Sequence, residues 1–453
     1  MRRRLFKLLT LSSATVGCAP FFSGCVNSDW VVLANFESYM SSDIIQKYGK
    51  DVSFLYFQTN EEVESKYRSY YDIAIPSTYE VITLIKKNWV QKIDWKRFDL
   101  YYTDSKEVKH PIKNGNDALN LFTDNIKNII NAETALYGDL FPDEQNLLDY
   151  CIPYFLQSFI FAYKGPKISD FQRANNWEQF TDIVGNETNP NVNQIFIPTP
   201  KNHIGCIDDS RTFYSLCNLI KTQKQYPNNP EKWTINPDVQ CKTIEEINQD
   251  FEFLTHKFSS GHFFFNTDSN EIIRSLSSPN NNQSSFAYNG DILYVAMGAE
   301  SFEPYNQDNF HIDNLDAAPL ALDAVVINNK NANNETKMNK IYSIVKSLFL
   351  DHVDSSDISA TDEDGNFIYN PMINFDYVKY TNPFKAINDY VIDGEYFSDI
   401  DPSYTESQIQ LFKNIYNIKI NPNIHIEKLV EDPLDNLFKS NIHWSYIYEK
   451  EKI

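Results

Sequence analysis

Short apolar runs alternate with helical repeats from Trp30 to Asn88, and this alternation limits what the chain can become more than any other feature. Trp30 to Ala34 reads as a strand, Ile44 to Tyr48 has helical character, and Val52 to Phe57 is a second strand. Thr59 followed by Glu61 and Glu62 opens the next helix, with acids at its positive end. Asp72 to Ile75 is a third strand that Pro76 ends. Ser77, Thr78 and Tyr79 follow, and Val81, Leu84 and Ile85 then recur at the spacing of one helix face. Strands separated by helices predict an α/β fold with a mostly parallel sheet covered on both faces. Ser77 or Thr78 falls at a helix N-cap on the carboxyl end of a strand, the place where open α/β sheets bind ligands.

At 453 residues the chain exceeds one ordinary core, and two domains are expected. Forty basic residues against 61 acidic ones give a net charge of −21, which argues against nucleic acid and anionic lipid and suits a cationic ligand. Arg2, Arg3, Arg4 and Lys7 precede an apolar run from Leu8 to Val16, the layout of a secretory signal over residues 1–25. Cys18 and Cys25 both follow small residues, as at a lipoprotein cleavage site. Cys25 is the favoured acylation site and Cys18 the alternative, with an uncleaved anchor also open. Cys151, Cys206, Cys217 and Cys241 lack metal-ligand spacing, and their disulfide state is open. No metal or cofactor is expected. The chain has no G-x-S-x-G, H-E-x-x-H, P-loop or G-x-G-x-x-G pattern, so it does not read as an enzyme.

The run YDIAIPSTYEVITLIKKNWVQKID, residues 71–94, resembles the strand, turn and helix of bacterial spermidine/putrescine-binding proteins, the extracytoplasmic receptors of ABC importers. Asn35 to Tyr39, NFESY, is similar to that family's Asn-Trp-x-x-Tyr turn, with Phe36 in the Trp place and Tyr39 in the Tyr place. Ser38 stands where the family has an acid, and Glu37 lies one position earlier. Tyr150 to Tyr163 resembles the strand that leaves the first lobe for the second. Ile207 to Thr212, IDDSRT, resembles a strand end reading Asp-Asp-Ala-Arg-Glu, so that Asp209 matches an amine-facing acid and Thr212 replaces a Glu. Thr267 in FFNTDS takes the place of a ligand-contacting Ser, and Tyr288 in FAYNGD that of a Trp. Asp323 in LALDAVVI matches an acid, with Ala321 where a second Trp is usual, and Tyr380 in KYTNP resembles the last wall of the pocket.

The resemblance implies a two-lobed type II periplasmic-binding-protein fold with the ligand cleft between lobes. The expected lobes are residues 29–156, 157–321, 322–380 returning to the first lobe, and 381–453 returning to the second, with crossings near Gln157, Ala321 and Tyr380. It further implies a lipid-anchored monomer on the outer face of the cell membrane that delivers a polyamine to an ABC permease and its ATPase. The expected site has Phe36, Tyr39, Tyr79, Tyr288 and Tyr380 as walls, Asp209 and Asp323 as anchors, Ser77 and Thr267 as polar contacts, and Glu37 or Glu80 as a third acid. Carboxylates meet ammonium groups that lose water, and aromatic faces serve both methylenes and cations. A receptor for another small cation such as thiamine, or a surface lipoprotein that has lost transport, are the alternatives. Ser105 to Asn116 is polar, Asp117 to Leu136 has helical periodicity, and residues 105–149 read as an insertion. Lys337 to Leu350 and Glu406 to Tyr416 read as helices, and Asp362 to Gly365 as a β-turn.

Overall fold

The computed structural model describes residues 30–453 apart from 187–188, 190–191, 193–203, 238–241, 279–282, 299–302, 314 and 316. Cys18, Cys25, Cys241 and the strand expected over Ile195 to Ile197 lie outside the described residues.

The alternating N-terminal third folds as its periodicity predicts. Strand β1 (Val31–Phe36), helix α1 (Ser42–Tyr48), β2 (Val52–Phe57), α2 (Asn60–Ser65), β3 (Ile73–Ala74) and α3 (Thr78–Lys86) follow one another. β1 pairs parallel with both β2 and β3. The polar stretch after them is a small hairpin of β4 (Tyr101–Thr103) and β5 (Lys109–Pro111). The helix expected over Asp117 to Leu136 is broken into α4 (Gly115–Ala118), a 3-10 turn and α5 (Asp124–Leu136). Phe122 interrupts it by stacking on Phe384, with ring centroids 5.0 Å apart, while the Thr123 amide donates to the Pro383 carbonyl. A tertiary contact thus overrides helical propensity.

Strand β6 (Ile152–Lys164) joins the two halves, and all of its residues are buried. Its continuous apolar run has the composition of a strand covered on both faces. Beyond it lie α6 (Trp177–Val184), β7 (Ile204–Ile207), α7 (Ser210–Gln225), α8 (Ile244–Thr255), β8 (Phe263–Asn266), α9 (Ser269–Ser277), β9 (Ser284–Tyr288), α10 (Asn289–Ala296) and β10 (Phe310–Ile312). Strand β11 (Leu320–Ile327) returns. The sheet runs β2-β1-β3-β11-β6-β9-β7-β8, with β10 also on β6. β11 pairs with β6 from Ile152 to Ser158, and β9 pairs with it from Phe159 to Tyr163. The strand therefore changes partners between Ser158 and Phe159. Parallel pairing holds among β1, β2 and β3 and among β7, β8 and β9, while β6 and β11 run antiparallel to their neighbours.

Helices α11 (Glu335–Val345), α12 (Asn370–Val378), α13 (Lys385–Ile392), α14 (Glu395–Ile400), α15 (Glu406–Tyr416) and α16 (Asn436–Lys450) complete the chain. The helix expected over Lys337 to Leu350 ends as α at Val345 and continues as a π-turn. α12 packs on α1, whereas α15 packs on α10 and α16 on α7 and α8. Asp362 accepts from the amides of Asp364 and Asn366, which closes the expected turn around Gly365 at φ +81°. Ile244, the first residue of α8, is exposed; Ile247, Phe251 and Leu254 carry the buried face. Cys151, Cys206 and Cys217 are buried free thiols.

Candidate functional site

An irregularity in the central ladder places the most connected acid. Pro153 has no N–H to give the ladder. The register slips between Asp323 and Ala324, so that Tyr154 becomes the extra residue of a bulge. The Ala324 amide turns instead to the Pro76 carbonyl, 2.9 Å away, which draws β11 against the turn between β3 and α3. Asp323 is left at the carboxyl ends of β1 and β3, 1% exposed.

Three neutral donors meet its carboxylate. Ser77 Oγ donates to Oδ1 at 2.6 Å, while Tyr39 OH at 2.7 Å and Gln157 Nε2 at 2.5 Å donate to Oδ2. No basic side chain pairs with it among the described residues. Burial raises the Asp323 pKa, and the three hydrogen bonds oppose that rise. The Ser77 hydroxyl therefore does not cap α3, although Ser77 occupies the N-cap position. Asn60 holds Ser77 in place through its amide and its hydroxyl.

Aromatic rings close over this acid. The Tyr39 ring lies 5.3 Å from Tyr154, 5.7 Å from Phe155 and 5.6 Å from Tyr380. Tyr154 donates to the Tyr39 carbonyl, and Asn374 donates to the Tyr154 hydroxyl. Tyr380 donates to Asp291 Oδ1 at 2.8 Å, and burial pushes the Asp291 carboxyl up to about 7. Tyr380 sits so close to α10 that a Cβ on Gly290 would fall 2.0 Å from its Cδ1. Burial likewise raises the Tyr39 and Tyr380 hydroxyls well above their usual value.

A second cluster faces the first from β7, α7 and the segment after the 3-10 turn Ile426–Lys428. Asp209 is the N-cap of α7 and accepts from the Thr212 amide at 2.7 Å. The Thr212 hydroxyl shares a 2.8 Å hydrogen bond with Tyr288 OH. Arg211 extends from the same first turn, and its guanidinium lies 3.7 Å from the centre of the Tyr79 ring. Its Nε donates to Glu431 Oε2 at 2.7 Å, and a second nitrogen reaches the Asp432 carbonyl. Glu431 Oε1 accepts from Ser215 at 2.9 Å. Burial works against the Arg211 charge, but Glu431, Tyr79 and Glu61 outweigh it and hold its pKa above the usual value. A parallel bridge between Leu320 and Val430 puts Glu431 beside the β11 crossing.

The structure brings Tyr39, Ser77, Tyr380 and Asp323 into one cluster and Tyr79, Asp209 and Tyr288 into its neighbour. Phe36 is half-buried at the rim, 4.4 Å from Phe57 and 6.0 Å from Tyr39. Glu37 is exposed beside Ser38, which takes φ +59°, and joins neither cluster. Thr267 is exposed after β8. Glu80 is buried in α3 with neither carboxylate oxygen hydrogen-bonded, so it bonds to no member of either cluster. Sequence reasoning passed over Gln157, Tyr154, Asp291, Arg211 and Glu431 as site residues. Arg211 stood in view within IDDSRT, but its partners lie far off in the chain.

The arrangement joins two kinds of group that attract cations. It has a buried carboxylate with only neutral donors and aromatic faces around it, each worth ~0.5–2 kcal/mol toward a cation. Among the described residues, no group of His, Cys, Asp and Glu could hold a metal ion.

A family model described as hypothetical lipoprotein (MG045 family) matches residues 1–411. No curated protein matches the chain in sequence. Three solved structures resemble it over 93% of this chain and 99% of theirs. One is a Listeria monocytogenes protein assigned to spermidine/putrescine ABC transport, with 15% identity and a TM-score of 0.51. The others are the spermidine/putrescine ABC transporter substrate-binding protein PotD of Streptococcus pneumoniae (14% identity, TM-score 0.50) and the PotD lipoprotein of Treponema pallidum (13% identity, TM-score 0.50). At such identities the likeness is one of fold. The chain has the α/β architecture of the two-lobed periplasmic-binding proteins.

Proposed function

The chain belongs to the hypothetical lipoprotein (MG045) family, and from that membership we propose that it is the lipid-anchored, extracytoplasmic solute-binding component of an ABC importer. Its solute is a small cationic amine held between the lobes, and its partners are a permease and an ATPase. Acylation falls on Cys25, with the lobes divided at residues 29–156, 157–321, 322–380 and 381–453. The observation that carries this reading is Asp323, a buried carboxylate at the lobe crossing that has three neutral donors and no basic partner among the described residues. A buried charge of that kind favours a cation brought from outside. The fold shared with polyamine-binding proteins supports it.

The mechanism is hinge closure. Solute bridges the lobes, stabilises the closed form, and the permease reads that form. Charged hydrogen bonds of roughly 1.5–3 kcal/mol each and two or three aromatic walls reach the about −8 kcal/mol of micromolar binding.

The test is calorimetric titration of the purified protein with putrescine, spermidine and thiamine, at low and at high salt. Saturable heat from an amine, weakened by salt and lost in Asp323→Ala, supports the receptor. Unchanged affinity in Asp323→Ala, with the variant folded, would sink this site.

A further inference from the structure

We infer, resting on the reading of the chain as a lipoprotein acylated at Cys25, that the pole of the first half opposite the Asp323 cluster is a membrane-contact face that lies on anionic lipid headgroups. Parallel strands β1 and β3 begin at this pole, with Val31 and Ile73, and antiparallel β11 ends beside them at Ile327. Asp323 lies at the other ends of β1 and β3, so contact here leaves the solute cluster uncovered. Trp30 stands five residues after Cys25, and the chain between them spans at most about 18 Å. An acylated Cys25 therefore keeps the start of β1 within that distance of the bilayer.

The charge of this pole is opposite to that of the whole chain. Residues 48–51, 64–72, 87–97 and 328–340 carry ten basic side chains against five acidic ones, in a chain of 40 basic and 61 acidic residues. Contacts tie these segments to one another. Lys337 reaches the Trp30 carbonyl, Lys330 donates to the Tyr70 carbonyl at 2.8 Å, the Asn329 amide donates to the Trp89 carbonyl at 3.2 Å, and Lys340 pairs with Asp51 at 3.0 Å. Two further acids are also paired: buried Asp72 takes both Lys330 at 3.1 Å and Lys337 at 3.2 Å, and Glu64 takes Lys87. Lys50, Arg68, Lys92 and Lys96 are exposed and pair with no carboxylate among the described residues. The net charge of −21 does not prevent lipid contact here, because charges more than about 8 Å away are largely screened at physiological salt. A basic cluster held beside an anionic leaflet is drawn to it. The aromatic residues suit the same partner. Trp30 is 37% and Tyr70 64% exposed, and the Arg68 guanidinium lies 3.5 Å from the centre of the Trp89 ring; tryptophan and tyrosine settle at the level of lipid headgroups.

The experiment reconstitutes the full-length protein, carrying its anchor, into vesicles of phosphatidylcholine alone and of phosphatidylcholine mixed with phosphatidylglycerol. Exposed lysines are then acylated with a water-soluble reagent and read by mass spectrometry. Acylation of Lys50, Lys92 and Lys96 is expected to fall by about threefold or more in the anionic vesicles relative to the neutral ones, and to recover at high salt. Lys224 and Lys232, exposed on the second half, are expected to react alike in both. In the triple variant Lys50→Gln/Lys92→Gln/Lys96→Gln, shown folded by its melting curve, the protection of Lys66 at the same pole is expected to disappear. Equal acylation of the three lysines in both vesicles would overturn the inference, and so would a fall shared equally by Lys224 and Lys232 or a Lys66 still protected in the variant. Protein that sediments with neither vesicle would overturn the lipid-anchored reading, and this inference with it. Sedimentation with both vesicles and no difference in acylation would leave the anchor standing and reject the contact face alone.

Discussion

Asp323 is held by contacts from three other parts of the chain: the β1 turn through Tyr39, the β3 turn through Ser77, which also bridges the Asp323 backbone, and β6 through Gln157. Its removal has two separable effects. Asp323→Ala should abolish amine binding and, by leaving three buried donors without their acceptor, lower stability by about 2–4 kcal/mol in a denaturant titration. Asp323→Asn, which keeps an acceptor, should lose binding with a smaller stability change. Gly290→Ala is a purely steric probe, because the added carbon would overlap the Tyr380 ring. It is expected to cost about 1–3 kcal/mol and to weaken amine binding while leaving every carboxylate in place; an unaltered melting curve would contradict the packing described. Part of this scale was legible beforehand. Asp323, Tyr39, Ser77 and Tyr380 were marked by resemblance, but their mutual contacts were not, since nothing local ties Tyr39 to a carboxylate 284 residues further along the chain. Arg211 shows the same limit. A guanidinium's partners are chosen by the fold, and Tyr79 and Glu431 are local neighbours of neither Arg211 nor each other.

Helix α3 was the most readable element, because a buried strand, a proline stop and a one-faced helix leave few alternatives to a βα turn. It also carries a buried acid that serves neither cluster. Glu80 has no hydrogen-bond partner for either oxygen, and burial pushes its carboxyl from the ordinary 4.5 up to about 8. Glu133 on α5 accepts from Thr78 at 3.0 Å, and burial takes it to about 8 as well. A raised carboxyl pKa means that the folded state holds its proton more tightly than the unfolded state does. These groups therefore stabilise fully below about pH 4.5, and their contribution is lost as pH rises toward about 8. Denaturant titrations from pH 5 to pH 8 are expected to show a falling stability, on the order of a few kcal/mol across the range. Glu80→Gln/Glu133→Gln should flatten that slope; a wild-type slope in the double variant would contradict the assignment. The less readable elements failed for a physical reason. The stretch Asp117 to Leu136 has one helical period throughout, yet Phe122 is more stable stacked on Phe384 than extending the helix.

The whole molecule is two half-sheets that share one strand. β6 carries β11 on its first half and β9 on its second, and the chain passes the crossing again at Thr381, bridged to Leu156, and at Val430, bridged to Leu320. Asn289 adds a clamp, accepting from the Ser158 amide and donating to Thr381 Oγ1. In the proposed hinge closure the two halves turn about this crossing. Ligand that binds only the closed form should raise the melting temperature with concentration, by about 2.7 kcal/mol of added stability at a hundred times its dissociation constant. The two-lobed architecture was legible because its repeated βα order is local; in the tail after residue 383 the helix over Glu406–Tyr416 was legible too, but the packing of α15 and α16 on α10, α7 and α8 was not. The most direct measurement is the crystal structure of the protein saturated with its tightest-binding amine. An ammonium nitrogen is expected within hydrogen-bond distance of Asp323, its carbon chain between Tyr39 and Tyr380, with Arg211 still on Tyr79. An amine bound elsewhere, with Asp323 still enclosed by Ser77, Tyr39 and Gln157, would contradict it.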